Sequence, residues 1–246
     1  MSLALSEKSH FLENGYLLAG EIFSPAEVSA LRDVYMASLE RLKAEGKYQS
    51  IRKSSGEEKP VYQIRAAHLY DAAFKKIIED ARILDKVESL IGPNIRLVLM
   101  QGLYKPPFTG GVIGWHQDDY YFRVNKPNAV VSAWLTLDDV DEKNGCMWVI
   151  PRAHHGLVSH VPTENKDGVY IPDADESRAV PLRMKAGEIM FHHGATPHRT
   201  LANESERPRR ALAMHFMDAG CIPLGEGRAE EPVENMPLLR GTGLSW

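Results

Sequence analysis

Apolar residues recur every three to four positions over the first third of the chain and then alternate or form short runs. Val28, Leu31, Tyr35, Leu39 and Leu42 fall on one face of a helix. Its start is marked by Ser24 as N-cap, Pro25 at the first helical position and Glu27 completing a capping box. Phe23 and Val28 sit at the hydrophobic-staple positions, and Gly46 ends the segment. This helix should brace the outside of a sheet, apolar stripe inward. Residues 11–18 read as a helix end, a turn at Gly15 and a strand. One or two further helices are predicted over 71–91, carried by Phe74, Ile77, Ile78, Ile83, Leu84, Val87 and Ile91, with Gly92-Pro93 as the stop.

A strand is predicted at 61–64, and from 94 onward the pattern is one of strands: 95–101, 128–137, 146–150, 180–184, 188–192 and 210–217. Many short strands separated by turns predict a sandwich or barrel. The polar stretches 50–60 and 161–178 are expected as loops, the first mobile and the second long enough for a lid. The tail from Pro223 reads as irregular.

At 246 residues the chain suffices for one large domain with a sizeable core. Its 29 basic and 33 acidic residues leave a net charge of −4, which speaks against nucleic acid or an anionic membrane as main partner. Cys146 and Cys221 are too few for a disulfide framework, so a reduced, cytoplasmic setting is expected. No apolar run approaches bilayer length, and the first residues lack the apolar core of a signal peptide. The expected partner is a small-molecule substrate, and the expected assembly a monomer or homodimer.

The chemistry centres on Trp115-His116-Gln117-Asp118-Asp119-Tyr120. On a strand, positions i and i+2 share a face, so His116 and Asp118 would project together. One further His would complete a two-His, one-carboxylate set with open positions opposite, as in non-heme Fe(II) oxygenases. An isolated H-x-D is a weak signal. The glycines before it (Gly110, Gly111, Gly114), the strands after it, and a later His followed by an Arg strengthen it. The third-ligand candidates are His192, His193 and His198, with Arg209 or Arg210 beyond. If Arg209 faces the interior, Ala211, Ala213 and His215 share its side, while Leu212, Met214 and Phe216 form an apolar row opposite. That division favours Arg209 and makes Arg210 a surface charge. Parity likewise selects Asp118 over Asp119, which is expected to support Asp118 or face solvent.

An ordered series of segments carries a resemblance: Asn14-Gly15-Tyr16, Lys105-Pro106-Pro107, His116-Gln117-Asp118, Trp134 within Ser132-Ala133-Trp134-Leu135, and Asn144-Gly145-Cys146-Met147. It continues with Ile150-Pro151-Arg152-Ala153-His154, Gly187-Glu188-Ile189, Thr196-Pro197-His198 and Arg209-Arg210-Ala211-Leu212. Over roughly residues 10–217 the chain resembles the phytanoyl-CoA dioxygenase family of Fe(II)/2-oxoglutarate oxygenases. The resemblance implies a mainly β, double-stranded β-helix (jelly-roll, cupin-like) barrel with flanking helices. As one domain over 1–246, it would comprise a helical part at about 1–93, a barrel core at about 94–220 and an irregular tail at 221–246.

The resemblance further implies His116, Asp118 and His198 as iron ligands and Arg209 as the clamp on the distal carboxylate of 2-oxoglutarate. Trp134, Gln101 and Thr200 would line the cosubstrate. With O2, such a site hydroxylates a substrate C–H and releases succinate and CO2. Related halogenases have Gly or Ala where this chain has Asp118, which favours hydroxylation. The motifs are not specific for a substrate, and neither phytanoyl-CoA nor ectoine is assigned. A desaturating or ring-oxidising member, or a non-oxygenase metal-binding or isomerase barrel, stays open. Gln63 is read as a cosubstrate or substrate contact or a solvated side chain. Tyr120, Tyr121 and Phe122 are read as substrate mouth or plain core, His192 and His193 as supporting groups, and His154, His155 and His160 as structural or rim residues.

Overall fold

The computed structural model describes residues 1–47, 49–51, 60–163, 168–224 and 232–243. In chain order they form α1 (Leu5–Asn14), β1 (Tyr16–Glu21), α2 (Pro25–Ala44), β2 (Gln49–Ile51), β3 (Val61–Arg65), α3 (Ala72–Ile78) and α4 (Ala81–Ile91). There follow β4 (Ile95–Lys105), β5 (Ile113–His116), β6 (Val130–Thr136), β7 (Met147–Val149), β8 (Val161–Pro162) and β9 (Val169–Tyr170). The last are β10 (Val180–Leu182), β11 (Glu188–His193), β12 (His198–Thr200), β13 (Arg209–Asp218) and β14 (Leu238–Arg240).

The helix boundaries follow the local chemistry. Ser24 Oγ accepts from the Glu27 amide, while the Glu27 carboxylate takes the Ser24 amide at 2.8 Å, so both partners satisfy otherwise orphaned donors. Val28, Leu31, Tyr35, Leu39 and Leu42 are all buried on the predicted face. Gly15 takes a left-handed φ of 80° between α1 and β1, where a side chain would also collide with His154 and Thr196.

Two antiparallel sheets build the fold. The larger has the order β1-β11-β6-β13-β4-β3-β2, with β14 added on β4. The smaller has the order β10-β7-β12-β5. One face of the large sheet buries Val131, Ala133, Leu135, Leu212, Met214 and Phe216 against the helices. The other face meets the small sheet across Trp134, Ala211, Ala213, Met147, Val149 and Leu182. Strand alternation divides β13 as predicted: Leu212, Met214 and Phe216 point toward the helices, and Arg209, Ala213 and His215 line the cavity on the other side. The architecture is the expected jelly-roll-like double-stranded β-helix with helices on one side.

Several expectations need correction. The part at about 1–93 carries, besides its helices, the expected strands β1 and β3 and the unexpected β2, all in the large sheet. The tail is not irregular throughout: Leu238–Arg240 pairs with the start of β4, held by Arg240 contacts to Asp85 at 2.7 Å and Glu88 at 2.8 Å. The polar stretch 161–178 carries the β8–β9 hairpin and a 3₁₀ turn at Glu176–Arg178. Of the mobile loop expected at 50–60, residues 52–59 lie outside the described residues, as do 164–167 of the expected lid. Among the described residues no helix is long and apolar enough to cross a membrane.

Candidate active site

His116 closes β5, and Asp118 opens a 3₁₀ turn over Asp118–Tyr120. The pair is therefore not on one continuous strand as the i, i+2 argument assumed; the chain bends at Gln117 and the two side chains still converge. Gln117 is fully buried and fixes that bend. Its amide nitrogen donates to the Gly156 and Ala195 carbonyls at 2.8 and 2.6 Å, and its carbonyl accepts from the Val158 amide at 2.9 Å.

His198 begins β12 and lies directly opposite His116 across the β12–β5 pairing. His116 Nε2 and His198 Nε2 lie 3.8 and 3.7 Å from the same oxygen, Asp118 Oδ1. One donor atom from each of the three residues falls within 4.8 Å of the others, a spacing that can hold a metal ion. The orientation is set by the backbone. His116 Nδ1 donates to the Gly114 carbonyl at 2.8 Å and His198 Nδ1 to the Thr196 carbonyl at 2.9 Å, so each Nε2 presents its lone pair to Asp118 Oδ1. Burial pushes both imidazoles down to about 4, which keeps them neutral at ordinary pH. Burial pushes the Asp118 carboxyl up, but the nearby imidazoles, His215 foremost, outweigh it and hold the group well below the usual carboxylate range. The result is two neutral imidazoles and one carboxylate, the donor set a divalent metal needs.

The second oxygen of Asp118 is already taken. Ser132 Oγ donates to Asp118 Oδ2, and His215 Nδ1 lies 3.1 Å from that oxygen and 2.7 Å from Ser132 Oγ. His192 Nε2 stands 3.6 Å from the same Oδ2. Sequence reading missed Ser132 and His215 as site residues. The available signal was the position of His215 on the Arg209 side of β13, where the strand otherwise carries alanines.

The triad opens into a cavity of about 380 Å³, also lined by Gln63, Gln101, Trp134, Thr200 and Arg209. That volume is at the small end for ligand sites. Every cosubstrate residue expected from the resemblance is thus brought to one space, and Gln63 is there rather than solvated. Gln63 Nε2 donates to Gln101 Oε1 at 2.7 Å. Arg209 is completely buried, donates one long hydrogen bond of 3.4 Å to the Leu103 carbonyl, and has Nε and Nη2 with no partner. Burial pushes its guanidinium down to about 10. A buried guanidinium with open donors, 5.8 Å from the Trp134 ring centre, is a site built for an anion. These residues fit a metal and a dicarboxylate.

Lys105, noted in the sequence only as part of a motif, is equally buried, but its ammonium is satisfied. It donates to the Thr200 hydroxyl at 2.7 Å, the Thr200 carbonyl at 3.1 Å and the Leu201 carbonyl. Because Thr200 Oγ accepts from Lys105, its own proton is available to a ligand. Tyr121 and Phe122 line the cavity and Tyr120 does not; its ring stacks on His160 at 4.3 Å. His160 accepts from the Gln117 amide, and His154 packs on His193 at 5.3 Å, so both are structural. Asp119 is turned away from the triad, against Gly194, and burial followed by the Asp118 charge pushes its carboxyl up to about 7. Arg210 is not a simple surface charge. It grips Asp138 through two nitrogens at 2.9 and 2.6 Å.

With that geometry in hand, likeness to known proteins is informative. The profile of the phytanoyl-CoA dioxygenase family matches residues 11–211. The peroxisomal phytanoyl-CoA dioxygenase of Bos taurus is 30% identical, over 94% of this chain and 74% of its own length. Among solved structures, the alpha-ketoglutarate-dependent carbocyclase SnoK of nogalamycin biosynthesis superposes with a TM-score of 0.78 at 21% identity, covering 96% of both chains. The epimerase SnoN, solved with Fe3+, alpha-ketoglutarate and nogalamycin RO, gives 0.77 at 23% identity over 96% of this chain and 98% of its own. At such identities the structures speak for the fold, while the sequence matches speak for the family. The chain belongs to the phytanoyl-CoA dioxygenase family, a family of Fe(II)- and 2-oxoglutarate-dependent oxygenases.

Proposed function

We propose that the protein hydroxylates an unactivated C–H bond of a small molecule at an Fe(II) held by His116, Asp118 and His198, consuming 2-oxoglutarate and O2 and releasing succinate and CO2. One observation carries the reading: an ionised carboxylate beside two Nε2 lone pairs shares a cavity with a buried guanidinium whose Nε and Nη2 have no partner. The iron and its cosubstrate supply the oxidising chemistry. The chain supplies orientation. Arg209 would hold the distal carboxylate through its unpartnered Nε and Nη2, beside the Trp134 ring. Thr200, steadied by Lys105, offers a hydroxyl proton to the same anion. Ser132 and His215 occupy Asp118 Oδ2, so Asp118 would offer a metal its Oδ1.

Asp118 also favours hydroxylation over halogenation, because it occupies the space a halide would need. A non-oxygenase metal-binding or isomerase barrel would leave the Arg209 donors without purpose. Residues 1–246 are taken to act as one catalytic unit. The test is succinate release from purified protein with Fe(II), 2-oxoglutarate and candidate substrates, with product mass recorded. A gain of one oxygen atom supports hydroxylation, and a loss of two hydrogens would reassign the enzyme as a desaturase. Asp118→Ala is expected to lose iron binding and turnover together; full turnover in that variant would overturn the ligand assignment.

A further inference from the structure

His215 spends only one edge of its ring on Asp118. Its Nδ1 lies 3.1 Å from Asp118 Oδ2 and 2.7 Å from Ser132 Oγ. The Ser132 proton goes to Asp118, so Nδ1 carries the proton that Ser132 Oγ accepts. Nε2, on the opposite edge, has no hydrogen-bond partner among the described residues. Yet His215 is only 6% exposed, and it lines the cavity. Buried polar groups are normally hydrogen-bonded, so this edge marks a place for a ligand group.

Position sets that place apart from the cosubstrate. His215 pairs with Ser132 on β6 and Leu99 on β4. The row of Gln101 and Trp134 lies two residues earlier on β13, at Ala213. Arg209 is earlier still, at the start of the strand, roughly 20 Å away along it. The wall around the His215 ring is apolar. The Phe122 ring centre stands 4.7 Å from it, and Tyr121 stands 6.5 Å from Phe122. Both aromatic residues line the cavity. The other polar groups of this end are engaged. Ser132 serves Asp118, the Nδ1 atoms of His116 and His198 hold backbone carbonyls, and His192 Nδ1 meets the His193 carbonyl at 3.2 Å. The remaining Nε2 atoms of His116, His198 and His192 face Asp118.

We propose that His215 is the substrate-recognition residue at the metal end, and that the substrate is a small alcohol with an apolar body. Its hydroxyl pairs with His215 Nε2, and its carbon skeleton lies on Phe122 and Tyr121. A hydroxyl both donates and accepts, so it matches this nitrogen in either proton state of the ring. One ring width separates Nε2 from the edge that holds Asp118. The hydroxyl-bearing carbon and the carbon that is oxidised are therefore few bonds apart. The assignment rests on the oxygenase reading of this site.

Substitution can divide the two edges of the ring. His215→Asn keeps an amide donor at the Nδ1 position and has nothing at Nε2. His215→Gln reaches the Nε2 position and gives up Nδ1. The test is anaerobic calorimetry on the Fe(II)–2-oxoglutarate protein at saturating iron. The probes are cyclohexanol and linear alcohols and vicinal diols of four to eight carbons, each against its methyl ether. At least one hydroxyl compound is expected to bind wild type roughly tenfold more tightly than its ether. That preference should persist in His215→Gln and vanish in His215→Asn. Co(II) affinity should show the reverse order, near wild type in His215→Asn and about tenfold or more weaker in His215→Gln. A residue that only positions Asp118 would not give this crossed pattern. No hydroxyl compound preferred over its ether in wild type, a preference that survives in His215→Asn, or one lost in both variants overturns the proposal. The visible band of the iron–cosubstrate complex separates the two levels. Its absence from wild type would defeat the oxygenase reading and this assignment with it, whereas an intact band without hydroxyl preference defeats the His215 assignment alone.

Discussion

A carboxylate buried among imidazoles stays ionised only if its charge is held, and Asp118 is held on one side by Ser132 and His215 and left open on the other. Groups that orient a metal ligand typically alter metal affinity by about 10–100-fold when removed. Ser132→Ala and His215→Phe are therefore expected to weaken Co(II) binding by that order while far-UV circular dichroism is unchanged. Binding as tight as wild type in both variants would show that Asp118 needs no such support. His193 gives a pH prediction. Burial pushes its imidazole down to about 4, while Nδ1 accepts from the Ala195 amide at 3.0 Å and Nε2 meets Asn128 at 3.1 Å. The unfolded chain takes up that proton near the ordinary histidine value of about 6.5, before the folded state does. Stability is therefore full above that value and falls as pH drops toward about 4. Thermal melts of metal-free protein should show the decline, and His193→Gln should make it shallower than in wild type. His116 and Asp118 were legible in the sequence through their spacing together with the later His and Arg and the ordered motifs of the family resemblance. His215 and Ser132 stayed hidden because each looks like an ordinary strand residue until Asp118, from a distant segment, arrives between them.

At the scale of elements, the strongest sequence signals were those complete within a few residues. The α2 start is one: Ser24, Pro25 and Glu27 suffice to place it. Ser24→Ala should cost about 1 kcal/mol, read as a fall in urea midpoint with no change in iron binding. The β5 and β12 strands, which carry His116 and His198, were not predicted because four and three residues give too short a period to read. Arg210 was misjudged for a related reason. Its partner Asp138 follows β6, and Asp138 also lies 3.3 Å from Arg32 on α2, so the contact joins three elements that the sequence lists far apart. Arg210→Ala removes both side-chain hydrogen bonds to Asp138 and is expected to lower the melting temperature more than Ser24→Ala. A melting temperature equal to wild type would return Arg210 to the role of a plain surface charge.

Across the whole molecule, two sheets meet over a cavity whose ends do different work, with a three-donor cluster at one end and the buried Arg209 at the other. The alternation of β13 made this legible: one strand sends its even-numbered apolar residues to the helices and Arg209 and His215 to the cavity. The pairing of that strand between β4 and β6, which brings Gln101 and Trp134 into one row, is a long-range result that no local pattern encodes. The most direct measurement is anaerobic addition of Fe(II) and 2-oxoglutarate, following the weak visible metal-to-ligand charge-transfer band in wild type and Arg209→Ala. A band in wild type that is weakened in the variant at equal iron loading is the expected result. Folded, iron-loaded wild-type protein that gives no band would contradict an oxygenase built on His116, Asp118, His198 and Arg209.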